Sequence, residues 1–431
     1  MNKLMIALLM ISVSSVAIKD SYAQTEAVEI QEMTLEDAIR HAMDVSPAQK
    51  IAGSLEEIAK GERQQAGLLL NPEISAEAAN LGGRGTYKGT DSLETTVGLS
   101  QTIEIGGKRS ARIKIADEGI NLAGYDAQSE RLGLIHDVTV AYIEAVAAEE
   151  QVSIAREQKK LAQGTLDTVA KRVEAAADPI FQKSKADVAL SAAKIAVKKA
   201  EQESKIAKQK LVKYWDGSAS TVQLDHRFFR HLEQPQAYSD IVSNLKNSPD
   251  YQRWNALHAQ SKAAIDIEKS NAIPDPTFNV GIRDFRESGD QAFVVGVSIP
   301  FAVFNRNQGN VYKAGHASAK IDAERQRAWI DSETNLATLT EELETSFSAA
   351  QMISENTLPA AQKAFSEARK GHSAGKFAYL EVLDAQRTLS EVREEYNDTL
   401  KKYHLARAEI NRLTASTSTS ISLAEGTKNE K

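Results

Sequence analysis

Cysteine is absent from the 431 residues. Its absence excludes disulfides, thiolate metal sites, a thiol nucleophile and a lipid anchor carried on cysteine. Proline occurs 9 times and glycine 23 times, too few for a chain rich in loops. Long apolar runs are missing beyond the N-terminus, and the mean hydropathy is −0.37. That excludes a bundle of membrane-spanning helices, each of which needs about 20 apolar residues. Basic charge is not in excess: 52 Lys and Arg stand against 59 Asp and Glu, for a net charge of −7. A general nucleic-acid binder would need a basic face to meet the phosphates, so none is expected as a partner.

What is present starts with an address. Lys3 precedes the apolar stretch Leu4 to Ile18, and Ser21-Tyr22-Ala23 places small residues at −3 and −1 of a cleavage site. Residues 1–23 read as a secretory signal peptide, too short for a spanning helix. The chain beyond it is expected in the periplasm, outside the cell, or in a membrane held by strands.

Length alone would suggest two or three domains, but the chain repeats itself at about 200 residues. Ser46-Pro47 answers to Ser248-Pro249, Asn71-Pro72-Glu73 to Asp275-Pro276-Thr277, Val97-Gly98-Leu99-Ser100 to Val295-Gly296-Val297-Ser298, and Ala186 to Ala385. So long a period is not a solenoid's. It divides the chain into a first repeat (24–215), a joint (216–237), a second repeat (238–413) and a tail (414–431) expected to be disordered.

Each repeat carries two short alternating segments, about 72–105 and 276–303. Leu93, Thr95, Val97, Leu99, Gln101, Ile103 and Ile105 alternate with Glu94, Thr96, Gly98, Ser100, Thr102 and Glu104. Phe278, Val280 and Ile282, then Phe293, Val295 and Val297, continue the pattern. A period of two gives a strand one apolar and one polar face. Such strands suit a soluble hairpin or a membrane barrel with lipid on one side and water on the other. Four strands cannot close a barrel alone, and open edges in lipid leave backbone groups unsatisfied. The membrane reading therefore requires several chains to share one barrel.

Each repeat also carries a long helical pattern, about 108–177 and 307–374. Alanine-rich apolar positions recur at 3-4 spacing, for example Leu134, Val138, Ala141, Ala145 and Ala148, the seam of a coiled coil. Pro359 falls inside the second pattern, where a kink or a lost hydrogen bond is expected. By themselves these helices would equally suit a soluble periplasmic coiled-coil scaffold.

Catalytic chemistry is not legible, and an enzyme is not expected. Gly106-Gly107-Lys108-Arg109-Ser110 lacks the earlier glycine and the Ser or Thr directly after lysine that a phosphate loop requires, so it reads as a strand-to-helix corner. The eight histidines are scattered. His226 and His231, five apart near the joint, read as structural or solvated rather than as metal ligands. No metal site and no cofactor are expected.

Taken together, the residues resemble the TolC-like outer-membrane efflux proteins over about Thr34 to Leu413. Thr34-Leu35-Glu36-Asp37-Ala38-Ile39 is similar to that family's first helix, with Thr34 and Asp37 placed as a cap. Leu70 to Glu77 is similar to its first strand, and Gly371-His372-Ser373-Ala374-Gly375 with Leu380 to Gln386 to its second periplasmic turn. Ser100 to Arg109 and Asn305 to Asn310 resemble the cobalt-zinc-cadmium (CzcC-like) branch.

The resemblance implies a mainly α fold with a membrane β-barrel. Duplicated units of long coiled-coil helices plus a hairpin would form a trimeric α-barrel and a shared 12-stranded β-barrel. It implies a passive exit duct for divalent heavy metals in the outer membrane of a Gram-negative cell. Docking with a periplasmic adaptor and an RND-type inner-membrane pump would open it. A multidrug or type I protein-export duct of the same fold is the alternative cargo reading. The resemblance places Glu381 and Asp384 at the periplasmic gate. It places Arg172, Asp178, Pro179, Gly371, His372, Gly375 and Phe377 in the adaptor-contacting turns. His372 and Phe377 stand where relatives carry a latching tyrosine and arginine, and the first turn lacks the usual glycine, with Pro179 expected to start the next helix. On the polar strand face, Glu73, Glu77, Glu94 and Glu104 against Arg283 would make an acidic lumen.

Overall fold

A computed structural model describes residues 32–219 and 222–416. The signal-peptide segment lies outside these residues, as does the tail from 417 onward.

Helices dominate, and their order repeats. α1 (Leu35–Val45) and α2 (Pro47–Ala66) lead to strands β1 (Glu73–Ala79) and β2 (Glu94–Thr102), then α3 (Lys108–Glu174) and α4 (Ile180–Val212). The short α5 (Tyr238–Ile241) with its following 3-10 turn, and α6 (Pro249–Ser270), lead to β3 (Thr277–Phe285) and β4 (Asp290–Ser298), then α7 (Gln308–Met352), α8 (Leu358–Ser373) and α9 (Tyr379–Thr414). Thr414 ends α9 and is buried, so the helix runs past the expected start of the tail.

Local chemistry sets the helix ends. The Thr34 hydroxyl accepts from the Asp37 N–H at 3.1 Å while the Asp37 carboxylate accepts from the Thr34 N–H at 3.2 Å, a reciprocal cap. Pro47 and Pro249 stand at the first turn of α2 and α6, each after a serine at the N-cap, where a missing N–H costs nothing. α3 follows Gly107 (φ 81°) and α7 follows Asn307 (φ 58°), both left-handed.

α3 spans about 100 Å at 1.5 Å per residue, and α4 returns along it. α2, α6 and α9 also lie against α3, while α7 packs on α6 and α9. Burial along α3 is uneven. Near its middle Val138, Tyr142, Ile143 and Val146 are all fully enclosed, on more than one face, because α1, the 3-10 turn Arg227–Arg230 and α9 close around it. The joint lies in this girdle. Met33 bridges to Leu224, and the Tyr142 hydroxyl lies 2.7 Å from Met33 O and 3.0 Å from Asp225 O.

The helical run continues through Pro359 without a break. The five residues Ile353–Thr357 form a π turn just before it. A wider turn absorbs the absent proline N–H while the helix continues.

The four strands form one antiparallel sheet in the order β1-β2-β3-β4. Ile74, Leu99, Val280 and Val295 form one cross-strand row, and Ala76, Val97, Ile282 and Phe293 the next. The register therefore gathers the apolar residues of all four strands on one face. Glu73, Ser100, Asn279 and Gly296 form a row on the other face. Gly98 pairs with Gly281 there, and a Cβ on Gly281 would lie 2.7 Å from Val97 O, so the strands approach more closely than a side chain permits.

Candidate functional site

The sheet carries the first functional feature. No helix packs across either of its faces among the described residues. Its apolar residues consequently stand open: Ile74 is 79% exposed, Phe293 87% and Val295 77%. β1 and β4 are unpaired along their outer edges. An exposed apolar face of this extent needs a covering phase, and β2, β3 and β4, nine residues each and about 30 Å long before tilt, match a bilayer. No helix is long and apolar enough to cross a membrane among the described residues.

On the polar face, Arg283 Nη1 lies 3.3 Å from Glu94 Oε2 and its Nε donates to Thr96 Oγ1 at 2.9 Å. Glu73 and Glu77 have no ion-pair partner among the described residues and are exposed. Glu104 differs from the sequence expectation. It lies beyond the last residue of β2, and both guanidinium branches of Arg112 hold its carboxylate. The Arg112 hydrogen bonds hold the Glu104 carboxyl below the usual carboxylate range against burial. It belongs to the corner, not to the paired strand.

That corner is built from Gly106-Gly107-Lys108-Arg109. A Cβ on Gly106 would lie 2.7 Å from the Ile273 side chain. Lys108, 8% exposed, donates to Ile273 O at 2.6 Å and meets Asp275 Oδ1 at 2.7 Å, and the same oxygen accepts from the Ile105 N–H at 2.9 Å. Lys108 thus ties the first repeat to the second at the foot of the sheet.

The opposite end holds the two turns. Arg172, in the last turn of α3, donates to Asp178 at 2.7 and 3.2 Å, and this pair holds the Asp178 carboxyl below its ordinary range. His372 Nε2 approaches the same carboxylate at 3.5 Å, and His372 Nδ1 lies 3.1 Å from Phe377 O. Asp178 and His372 are both buried, so their side chains join the two turns from within. Ala176 adopts φ 54° where the second turn has Gly375 at φ 72°. Pro179 is the N-cap of α4, and Ile180 is its first helical residue. Gly371 lies under the Phe377 ring, with no room for a Cβ.

Glu381 and Asp384 are exposed in the first two turns of α9, and Asp384 lies 3.9 Å from Arg387. They share an open groove with Glu367, Lys376 and Phe377. Ile180 and Phe181 at the start of α4, and Leu380 at the start of α9, are each more than half exposed. Their signal was an apolar pair directly after each turn, which helical periodicity alone does not distinguish from core.

His226 sits among charged groups that are remote from it in sequence. Its ring nitrogens lie 2.8 Å from Glu149 and 2.9 Å from Glu150, both on α3, with Lys208 and Arg230 balancing the carboxylates. The two carboxylates push His226 up to about 9. A histidine raised from about 6.5 stabilises the fold fully below that value and loses the contribution as pH rises through 9. Thermal unfolding in detergent should thus show stability falling between pH 6.5 and 9.5, and His226→Gln should flatten that slope. No group of three or more His, Cys, Asp or Glu that could hold a metal occurs among the described residues.

An uncovered apolar sheet thus stands at one end of the long helices, and the paired turns stand about 100 Å away at the other. Residues 55–217 and 241–416 match the family described as outer membrane efflux protein. The chain belongs to this family. It is 31% identical over 392 residues to the cobalt-zinc-cadmium resistance protein CzcC of Cupriavidus metallidurans, covering 88% of this chain and 90% of the relative. The nickel-cobalt-cadmium resistance protein NccC of Alcaligenes xylosoxydans xylosoxydans is 24% identical over 296 residues, 67% of this chain and 66% of the relative. The outer membrane protein VceC of Vibrio cholerae shares the fold at a TM-score of 0.75 and 16% identity, covering 88% of this chain and 95% of that one. This efflux protein is therefore an outer-membrane channel of TolC-like architecture.

Proposed function

We propose that this efflux protein is the passive exit duct of a tripartite pump for divalent heavy-metal cations. The cargo reading rests on the 31% identity with a cobalt-zinc-cadmium resistance protein over nearly the whole of both chains. Three copies share a twelve-stranded barrel, which seals the edges of β1 and β4 against lipid. Glu73, Glu77 and Glu94 with Arg283 line its lumen and favour cations.

The two repeats act as equivalent staves of the helical tube. Glu381 and Asp384 form a ring of six carboxylates at the periplasmic mouth. The turns from Arg172 to Phe181 and from Arg369 to Leu380, including Pro179, Gly371, Gly375 and Phe377, receive the adaptor. Asp178 and His372 hold them in shape from inside. An RND-type inner-membrane pump supplies the energy.

Deleting the gene should lower the zinc, cobalt or cadmium concentration that halts growth severalfold, while tolerance to dyes and detergents stays unchanged. The reverse pattern would assign the duct to another cargo.

A further inference from the structure

The two repeats superimpose strand on strand at fixed number shifts. Moving β1 onto β3 adds 204, the shift between Asn71-Pro72 and Asp275-Pro276, and moving β2 onto β4 adds 198, the shift between Val97-Gly98 and Val295-Gly296. These shifts carry one hairpin's register onto the other's without a slip. Glu73 opposite Ser100 becomes Thr277 opposite Ser298, and Ile74 opposite Leu99 becomes Phe278 opposite Val297, as the structure has them.

The β2–β3 seam joins the first repeat to the second. The free edges belong to β4, the counterpart of β2, and β1, the counterpart of β3. In the seam Ser100 faces Asn279, Leu99 faces Val280 and Gln101 faces Phe278. Applying the same shifts, we infer that β4 pairs antiparallel with β1 of a second copy of this chain in one register, Ser298 opposite Ser75, Val297 opposite Ala76 and Ile299 opposite Ile74. This deepens the shared-barrel reading above and rests on it.

A further observation agrees. The transferred register sets apolar residues against apolar residues, so both chains keep one face to lipid, whereas a slip of one residue would reverse every side chain of one strand.

The contact is head-to-tail, each copy offering β4 to one neighbour and β1 to the other, and it must close into a ring to leave no edge. Within one chain β1 and β4 are three strand spacings apart, about 14 Å, beyond the reach of a disulfide. Any disulfide between these edges is therefore intermolecular.

The chain has no cysteine of its own, which makes the test direct. Full-length protein carrying Ser75→Cys and Ser298→Cys is oxidised in isolated outer membranes with copper phenanthroline and run on a denaturing gel. Disulfide-linked trimers should form at least fivefold faster than with the displaced pairs Glu77→Cys with Ser298→Cys and Glu73→Cys with Ser298→Cys, and single-cysteine variants should form none. If the serine variants fail to reach the outer membrane, Ala76→Cys with Val297→Cys reads the same register from the lipid face. Fastest linkage at a displaced pair overturns the register. No disulfide at any pair, in protein that a lysine-reactive cross-linker still captures as a trimer, overturns the register alone. Capture only as a monomer overturns the shared barrel with it.

Discussion

Val280→Arg should remove this channel from the outer membrane, whereas Asn279→Arg, one residue away, should leave it assembled. Val280 lies near mid-strand in the row of Ile74, Leu99 and Val295, on a face that no helix covers among the described residues. Arginine on the lipid face at mid-bilayer costs about 2–4 kcal/mol, and three copies multiply that to roughly 6–12 kcal/mol per assembled barrel. Asn279 shares the opposite face with Glu73 and Ser100, where a guanidinium remains in water. Membrane fractionation with heat-modifiable gel mobility separates the outcomes, and equal assembly of both variants would refute the lipid assignment.

Replacing Glu381 and Asp384 together by alanine should raise the resting conductance in planar bilayers and weaken block by divalent cations more than tenfold. A carboxylate and a divalent ion 4 Å apart in water attract by about 2 kcal/mol. Losing a single such contact already exceeds the 1.4 kcal/mol of a tenfold change. Both side chains are exposed, and among the described residues the ion-pair partner of Asp384 is an arginine at 3.9 Å, so in the proposed duct their charge would act on the mouth. Single-channel recordings with and without millimolar zinc or magnesium measure the effect. Unchanged conductance and block would remove these residues from the gate.

Much of this architecture was legible in the sequence because its signals are periodic. Alternation at Phe278, Val280 and Ile282 marks a strand face, and no overlying helix competes to alter it. The seam through Leu134, Val138, Ala141 and Ala145 marks the long helix for the same reason. The capping pair Thr34 and Asp37 is three residues apart, within the range that local geometry controls. The paired Ser-Pro helix starts follow equally local rules.

Other features depended on partners far away in sequence. Glu104 alternates correctly for a strand, yet Arg112, about one helical turn into α3, draws it into the corner. His226 follows Asp225 in sequence, yet the carboxylates it bonds, Glu149 and Glu150, come from 76 or 77 residues upstream. Asp178 and His372 read as contact residues of two separate turns, and only their approach across 194 positions turns them inward. Pro359 announced a disturbance of the helical ladder, but the sequence did not say that it would take the form of a π turn at Ile353–Thr357. Tyr142 and Ile143 lie off a single seam because the girdle encloses α3 on several sides.

The sequence by itself determined the strands, the long helices and their duplication, since period, cap and repeat are properties of neighbouring residues. Only the tertiary structure decided which charges cancel and which remain free, and that both faces of the sheet stand uncovered. Those outcomes depend on distances between residues that the chain order separates by tens to hundreds of positions.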